Sequence, residues 1–346
     1  MKTALIISLN FNPGHVSHMV ASYKQCEEIG YKASYFVDPA FADYLPEDGN
    51  ILKNGIDACP ISDLAIFLFP SQKNLPLIWK LKRKGIKVIY IFHEPLSPMK
   101  DYRKVGFSFK YLAKLWVINR ISSLTVKRSD IVLLPSKKAV SFYEKNPSYS
   151  NPNYHYLPLM YDDERGECHA TMLREYFSYI GTVAADHSFN EYLKFVEWAV
   201  GENWLPSMKF LVATKSTFNV PEVLKDSERV VIKQGSPLSN TEINKCYAQS
   251  FCVWNAYART TQSGVLAKSF MFGTSALVLK KNCNEFARDG IEIKAIEDNS
   301  NTQAIADAID EILKEFREFS ANCRKRFLTS FYYKNYNECL KKLIDS

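Results

Sequence analysis

The chain has 346 residues, 47% of them apolar and 23% charged, with a formal net charge of +7. That length and balance describe two domains of ordinary size, each able to bury its own core, and exclude a disordered or low-complexity chain. The eight cysteines form no C-x-x-C pair and no apolar run is long enough to cross a bilayer, which argues against a disulfide scaffold, a cysteine metal site and a membrane span. Most cysteines sit among apolar neighbours, as buried thiols in a reducing compartment do, and the apolar start at Met1 reads as a strand rather than a signal peptide. The expected location is the cytoplasm. Charge is uneven: residues 1–160 carry 21 Lys and Arg against 12 Asp and Glu, whereas 161–346 carry 23 against 25. A basic first half calls for an anionic partner, and nucleic acid, an anionic membrane surface and a lipid diphosphate all qualify. Nucleic acid is the weakest of these, because no helix-turn-helix, zinc or RNP-like signature is present.

In chain order, Thr3–Leu9 reads as a buried strand, Asn10 to Gly14 as a turn, Ala21–Ile29 as a helix stopped by Gly30, and Lys32–Val37 as a second strand. This opening is α/β. Pro13-Gly14-His15 occupies the first strand–helix turn, with His18 one helical turn on. Leu64–Phe69 and Val88–Phe92 are further strands around a Leu75–Lys84 helix. Pro95 keeps Glu94 extended and ends the second of them, leaving His93 at the carboxyl end of its strand, with Glu94 beside it. Lys100 to Arg128 is the most basic stretch, with Lys and Arg between aromatic and aliphatic residues. That pattern fits a helix on an anionic membrane and fits equally a helix packed on the sheet with a basic outer face. Ile131–Leu134 is the next strand, and Asp130 and Ser136 flank it.

The segment from Pro147 to His169 is rich in Pro, Asn, Ser and polar residues, where one domain gives way to the next. The alternation restarts with strand Tyr176–Ile180 and Gly181-Thr182, then helix Phe189–Val200, strand Lys209–Ala213, Lys215, strand Val230–Ile232 with Gln234-Gly235, and helix Thr241–Gln249. Next comes Phe251–Trp254, a buried strand, followed by a polar loop with Tyr257, Arg259, Thr261 and Gln262. Ser263, Gly264 and Val265 open a helix, Gly273 stops it, and Ala276–Leu279 is a strand. A helix N-terminus at the carboxyl edge of a sheet favours an anion, Gly264 admits a ligand close to the backbone, and Arg259 adds a cation. The physical reading is a diphosphate seat; a plain capped strand–helix unit is the bland alternative.

Thr261 to Leu266 with Phe272-Gly273-Thr274, helped by His93-Glu94-Pro95, resembles the donor-site segment of the "glycosyl transferases group 1" family. The resemblance implies the GT-B fold: two Rossmann-like domains facing each other across a cleft, with a last helix crossing back to the first domain. It implies domains over 1–165 and 166–325 and a returning helix over 326–346. It further implies a nucleotide sugar, UDP- or GDP-linked, as donor. Gly181, Thr182, Lys215, Gln234, Gly235, Tyr257, Arg259, Thr261, Gln262, Ser263, Gly264, Val265 and Lys268 would then bind the donor. His93 and Glu94 would lie at the chemistry, and Gly14 and His15 on the acceptor side. Three departures stand out. Lys268 replaces the family's ribose-binding Glu, Ser275 replaces its Pro, and its usual Gly-Arg turn and following Lys are absent after the first strand of the second domain. Lys cannot accept a hydrogen bond from ribose, so Lys268, with Lys215 and Arg259, is read as a substitute cation for the phosphates. The expected activity is sugar transfer to a saccharide acceptor, lipid-linked, in bacterial surface polysaccharide synthesis, with neither cofactor nor metal. A non-catalytic GT-B-fold saccharide-binding or scaffold protein is the alternative.

Overall fold

The computed structural model describes residues 1–45, 51–52, 58–96, 102–103, 109–166, 172–260 and 263–346. It divides into two compact units, Met1–Asp162 with Tyr333–Ser346, and Asp163–Tyr332.

The first unit contains β1 (Lys2–Ser8), α1 (Val16–Glu28), β2 (Tyr31–Val37), β3 (Ile51–Leu52), β4 (Leu64–Phe67), α2 (Asn74–Arg83), β5 (Lys87–Ile91), α3 (Phe109–Arg128), β6 (Ile131–Leu134), α4 (Lys137–Lys145) and β7 (Tyr154–Tyr156). These strands form one sheet in the order β3-β2-β1-β4-β5-β6-β7, with every pair parallel. The apolar runs are continuous because parallel strands are buried on both faces. Asp130 and Ser136 take structural posts at the ends of β6. The Asp130 carboxylate accepts from the Val88 amide at 2.7 Å and from Lys82 at 2.6 Å, and Ser136 caps α4 through the Ala139 amide.

The second unit contains β8 (Tyr176–Ile180), α5 (Phe189–Gly201), β9 (Lys209–Ala213), α6 (Glu222–Lys225), β10 (Val230–Lys233), α7 (Asn240–Ala248), β11 (Ser250–Asn255), α8 (Gly264–Met271), β12 (Ser275–Leu279), β13 (Ile293–Ile296), α9 (Thr302–Lys314) and α10 (Phe316–Ser330). Its sheet runs β10-β9-β8-β11-β12-β13, again all parallel. Gly273 ends α8 with φ +69°, and a β-carbon there would sit 2.9 Å from the Ser320 hydroxyl, so both backbone sign and close packing require glycine.

Each sheet has one point where the strand order reverses, between β1 and β4 and between β8 and β11. Loops on the two sides of such a point diverge and leave a crevice outside the carboxyl ends of the strands. The expected returning helix begins later than residue 326. Residues 326–332 stay with the second unit, where Phe327 is fully buried and Arg324 holds Asp163 and the Met271 carbonyl. The return is α11 (Asn337–Asp345), led in by Tyr333, whose amide donates to the Tyr161 carbonyl and whose hydroxyl donates to Glu28. Leu340 and Ile344 bury its apolar side.

Candidate functional site

In the second unit the switch point brings together residues distant in sequence. Gly181 ends β8 with φ +147°, and a β-carbon on it would lie 3.8 Å from the Tyr257 hydroxyl and 3.9 Å from Val265. Tyr257 is buried and stacks on His187 with ring centroids 4.3 Å apart. Burial holds its phenol well above the usual tyrosine range, so it stays neutral and available as a donor. His187 is held by the Thr182 carbonyl at 3.0 Å, and its own carbonyl accepts from Trp254 Nε1. The Asp186 carbonyl accepts from the Ala258 and Arg259 amides, so the loops after β8 and β11 are laced through backbone. Ser188, in the same loop, has φ +53°; buried left-handed backbone at a non-glycine is costly and collects at functional loops.

Ser263 caps α8. Its hydroxyl accepts from the Leu266 amide at 3.4 Å and from Asn255 Nδ2 at 2.7 Å. Asn255 ends β11 and Asn282 Nδ2 donates to the Tyr257 carbonyl, so the helix N-terminus is fixed from the strand below it. Gly264 and Val265 are its first two residues, where partial positive charge is greatest. Next to this, Gln234 Oε1 accepts from the Phe218 amide at 2.9 Å, and Gly235, with φ +87°, approaches Thr217. The Val183 amide donates to Ser216, which joins this second pair of loops to the first. Lys215 is exposed in the same loop and Arg259 is half-buried. Thr261 and Gln262 lie outside the described residues.

Lys268 departs from expectation. Its ammonium is buried and bonds Asn240 Oδ1 at 2.6 Å and the Glu164 carboxylate at 3.3 Å, and that carboxylate also accepts from Asn240 and Asn244. Burial lowers its pKa and Glu164 works against that shift. Lys268 is therefore reassigned from the donor phosphates to the packing of the second unit, since a buried charge stays only where it is paired.

In the first unit the switch point is aromatic. His15 stacks on Phe69 (centroids 3.3 Å, 10° between planes), and His93 stacks on the same ring at 4.4 Å. His18 lies 5.8 Å from His93, and its Nδ1 hydrogen-bonds the Met160 carbonyl at 3.0 Å. A carbonyl only accepts, so Nδ1 carries a proton. His93 is hydrogen-bonded to the Leu68 backbone; burial, then the nearby His18 and His15, push its pKa well below the usual histidine range. His93 is thus a neutral imidazole at physiological pH. With His18, Ser22 and the 157–160 segment it lines a cavity of about 10 Å3, room for one water. Glu94 is exposed beyond it. Gly14 has ordinary backbone and donates its amide to Asn12 Oδ1, so the structure places no conformational demand for glycine there.

Four side chains of these clusters escaped sequence reasoning: His18 as a partner of His93, and His187, Asn255 and Asn282 around Tyr257. A histidine at a turn after a buried strand was the one available signal for His187. The asparagines carried none.

No protein-family model matches the chain, and no curated protein matches it in sequence. Solved structures do match in fold. Sucrose-phosphate synthase from Thermosynechococcus elongatus superposes with TM-score 0.72 over 100% of this chain and 98% of its own, at 12% identity. HepE of Anabaena, in complex with UDP and glucose, gives 0.71 at 12% identity over the whole of both chains. A glycosyltransferase from Rickettsia africae gives 0.70 at 11% identity over 99% of this chain and 98% of its own. The chain therefore has the GT-B fold, as the sequence resemblance implied.

Proposed function

We propose that the protein is a glycosyltransferase that uses a nucleotide diphosphate sugar. The observation that carries the reading is the meeting of Gly181, Tyr257 and Val265 beside the Ser263-capped start of α8, at the switch point of a GT-B second unit. HepE and an alpha-glucosyltransferase of the same fold have been solved with UDP, which supports a nucleotide sugar as ligand here. In this reading the first amides of α8 and Arg259 take the diphosphate, with Thr261 and Gln262 in the adjoining loop. Gly181 and Thr182 leave room beside it, Gln234 and Gly235 border the base with Lys215 near them, and Tyr257 donates a hydrogen bond. His93 serves the reacting sugar or the acceptor hydroxyl as a neutral ring, with Glu94, Gly14 and His15 bordering the acceptor.

The acceptor we propose is a lipid-linked saccharide of a bacterial surface polysaccharide, met at an anionic membrane from the cytoplasmic side. Its support is α3. The helix buries Leu115 and Val126 together with Asn119, Ser122 and Thr125, while Trp116 is 53% and Phe109 85% exposed among Lys110, Lys114 and Arg120. Exposed aromatics set among cations on the outer side suit a bilayer interface. The seven described cysteines are all free, and no described helix is long and apolar enough to cross a membrane.

The test is a thermal-shift screen of UDP- and GDP-linked sugars, with hydrolysis of the best binder as second step. Ligand at about a hundred times Kd stabilises by about 2.7 kcal/mol, a shift of several degrees. No shift with any nucleotide sugar at millimolar concentration would end the donor reading. Binding without turnover in the presence of acceptors would leave a saccharide-binding protein.

A further inference from the structure

Away from the donor-site loops, α10 carries a basic stripe that the proposed activity does not use. Arg317, Arg324, Lys325 and Leu328 recur at the spacing that keeps them on one side of a helix. With Arg165 and Phe316 they line an open groove of about 660 Å3. Four of the lining residues are cations and none is acidic. Arg324 is committed to Asp163, whose carboxylate also accepts the Arg165 amide at 3.3 Å. Among the described residues Arg317 and Lys325 take no ion pair. Burial, then the neighbouring Arg324, pushes the Arg165 guanidinium below its usual range, against the pull of Asp163. Ser320 and Thr329 add hydroxyls along the same edge, and Leu328 is 39% exposed at one end.

We propose that this groove binds a phosphate-bearing ligand next to an apolar group. Guanidinium forks match phosphate oxygens bidentately, and cations held within a Debye length reinforce one another toward one anion. Phe316 and Leu328 supply the apolar border. A soluble phosphorylated compound and a phospholipid headgroup share this chemistry. The groove lies apart from the donor-site loops, and only the UDP control in its test rests on the donor-site reading.

Calorimetry on the full chain, in saturating UDP so that the donor loops are not titrated, separates these sources with inorganic pyrophosphate and dihexanoyl phosphatidic acid as probes. At least one probe is expected to bind, about tenfold more weakly in the double variant Arg317→Ser, Lys325→Ser and more weakly again as salt rises from about 50 to about 500 mM. Both positions are exposed, so the variant should keep its Tm. Preference for the lipid probe assigns a headgroup, and equal or better binding of pyrophosphate assigns a soluble ligand. Binding of neither probe, wild-type affinity in the double variant, or a loss of the UDP thermal shift along with probe binding would overturn the proposal.

Discussion

At the switch point of the first sheet three imidazoles gather round Phe69, whereas at that of the second a glycine, a buried tyrosine and a capped helix N-terminus meet. Both sheets are parallel and reverse their strand order once, so topology gives each a crevice in the same place. The side chains then make the crevices different. The first offers flat rings, with His93 held neutral, that suit hydroxyl-rich saccharide and proton transfer. The second offers backbone amides and glycine space that suit a diphosphate, with its charge supplied by peptide dipoles more than by side chains. The lesson is that a duplicated architecture repeats the crevice and leaves its chemistry to a handful of residues.

The comparison can be broken first at Lys268. If its pairing with Glu164 is structural, Lys268→Ala should cost about 3–5 kcal/mol of unfolding free energy by stranding a buried carboxylate. The double change Lys268→Met, Glu164→Leu should recover much of that in denaturant titrations. Unaltered stability with lost UDP affinity would instead return Lys268 to the donor phosphates.

His93→Ala should lower kcat by roughly a hundredfold, about 2.7 kcal/mol, with donor affinity little changed, if the ring takes the acceptor proton. A ring that only positions the sugar would show as weaker binding of the intact nucleotide sugar and unchanged binding of UDP. Wild-type turnover, affinity and Tm together would remove His93 from the chemistry. In the second unit, Arg259→Ala should weaken UDP binding by about 1.5–3 kcal/mol, the value of a charged hydrogen bond, in calorimetry. Equal affinity would leave the diphosphate to backbone alone.

The neutral His93 makes the first unit sensitive to acid. Its folded pKa lies below the unfolded value near 6.5, so the unfolded chain binds the proton first. The contribution is complete above about pH 6.5 and is lost as pH falls toward the folded pKa, at up to about 1.4 kcal/mol per pH unit. His93→Gln should flatten that part of the stability–pH curve. The smallest contrast lies between two caps. Ser136→Ala and Ser263→Ala should each cost about 1 kcal/mol of stability, yet only Ser263→Ala should weaken UDP binding, because of the two helices only α8 begins at the proposed donor crevice.

Much of this was legible from local pattern. Continuous apolar runs marked the central strands to within a residue or two, and Gly30, Gly85 and Gly273, all with positive φ, marked helix ends. The short strands β3, β7 and β13 were not legible, nor was α4, since brief edge elements carry little periodicity. The donor segment after β11 was legible because strand, loop and helix are contiguous. The Glu164–Lys268 pair, 104 positions apart, and the stacking of His187 on Tyr257 were not.

The sequence by itself determined the α/β alternation, the two-domain length and the capped helix at 263–271, because these follow from hydrophobic period, glycine and capping chemistry within a few residues. Only the tertiary structure decided which side of α3 is buried, where Lys268 points and which rings surround His93. Those outcomes depend on how segments far apart in the chain are packed against one another, and desolvation and pairing act only once that packing exists.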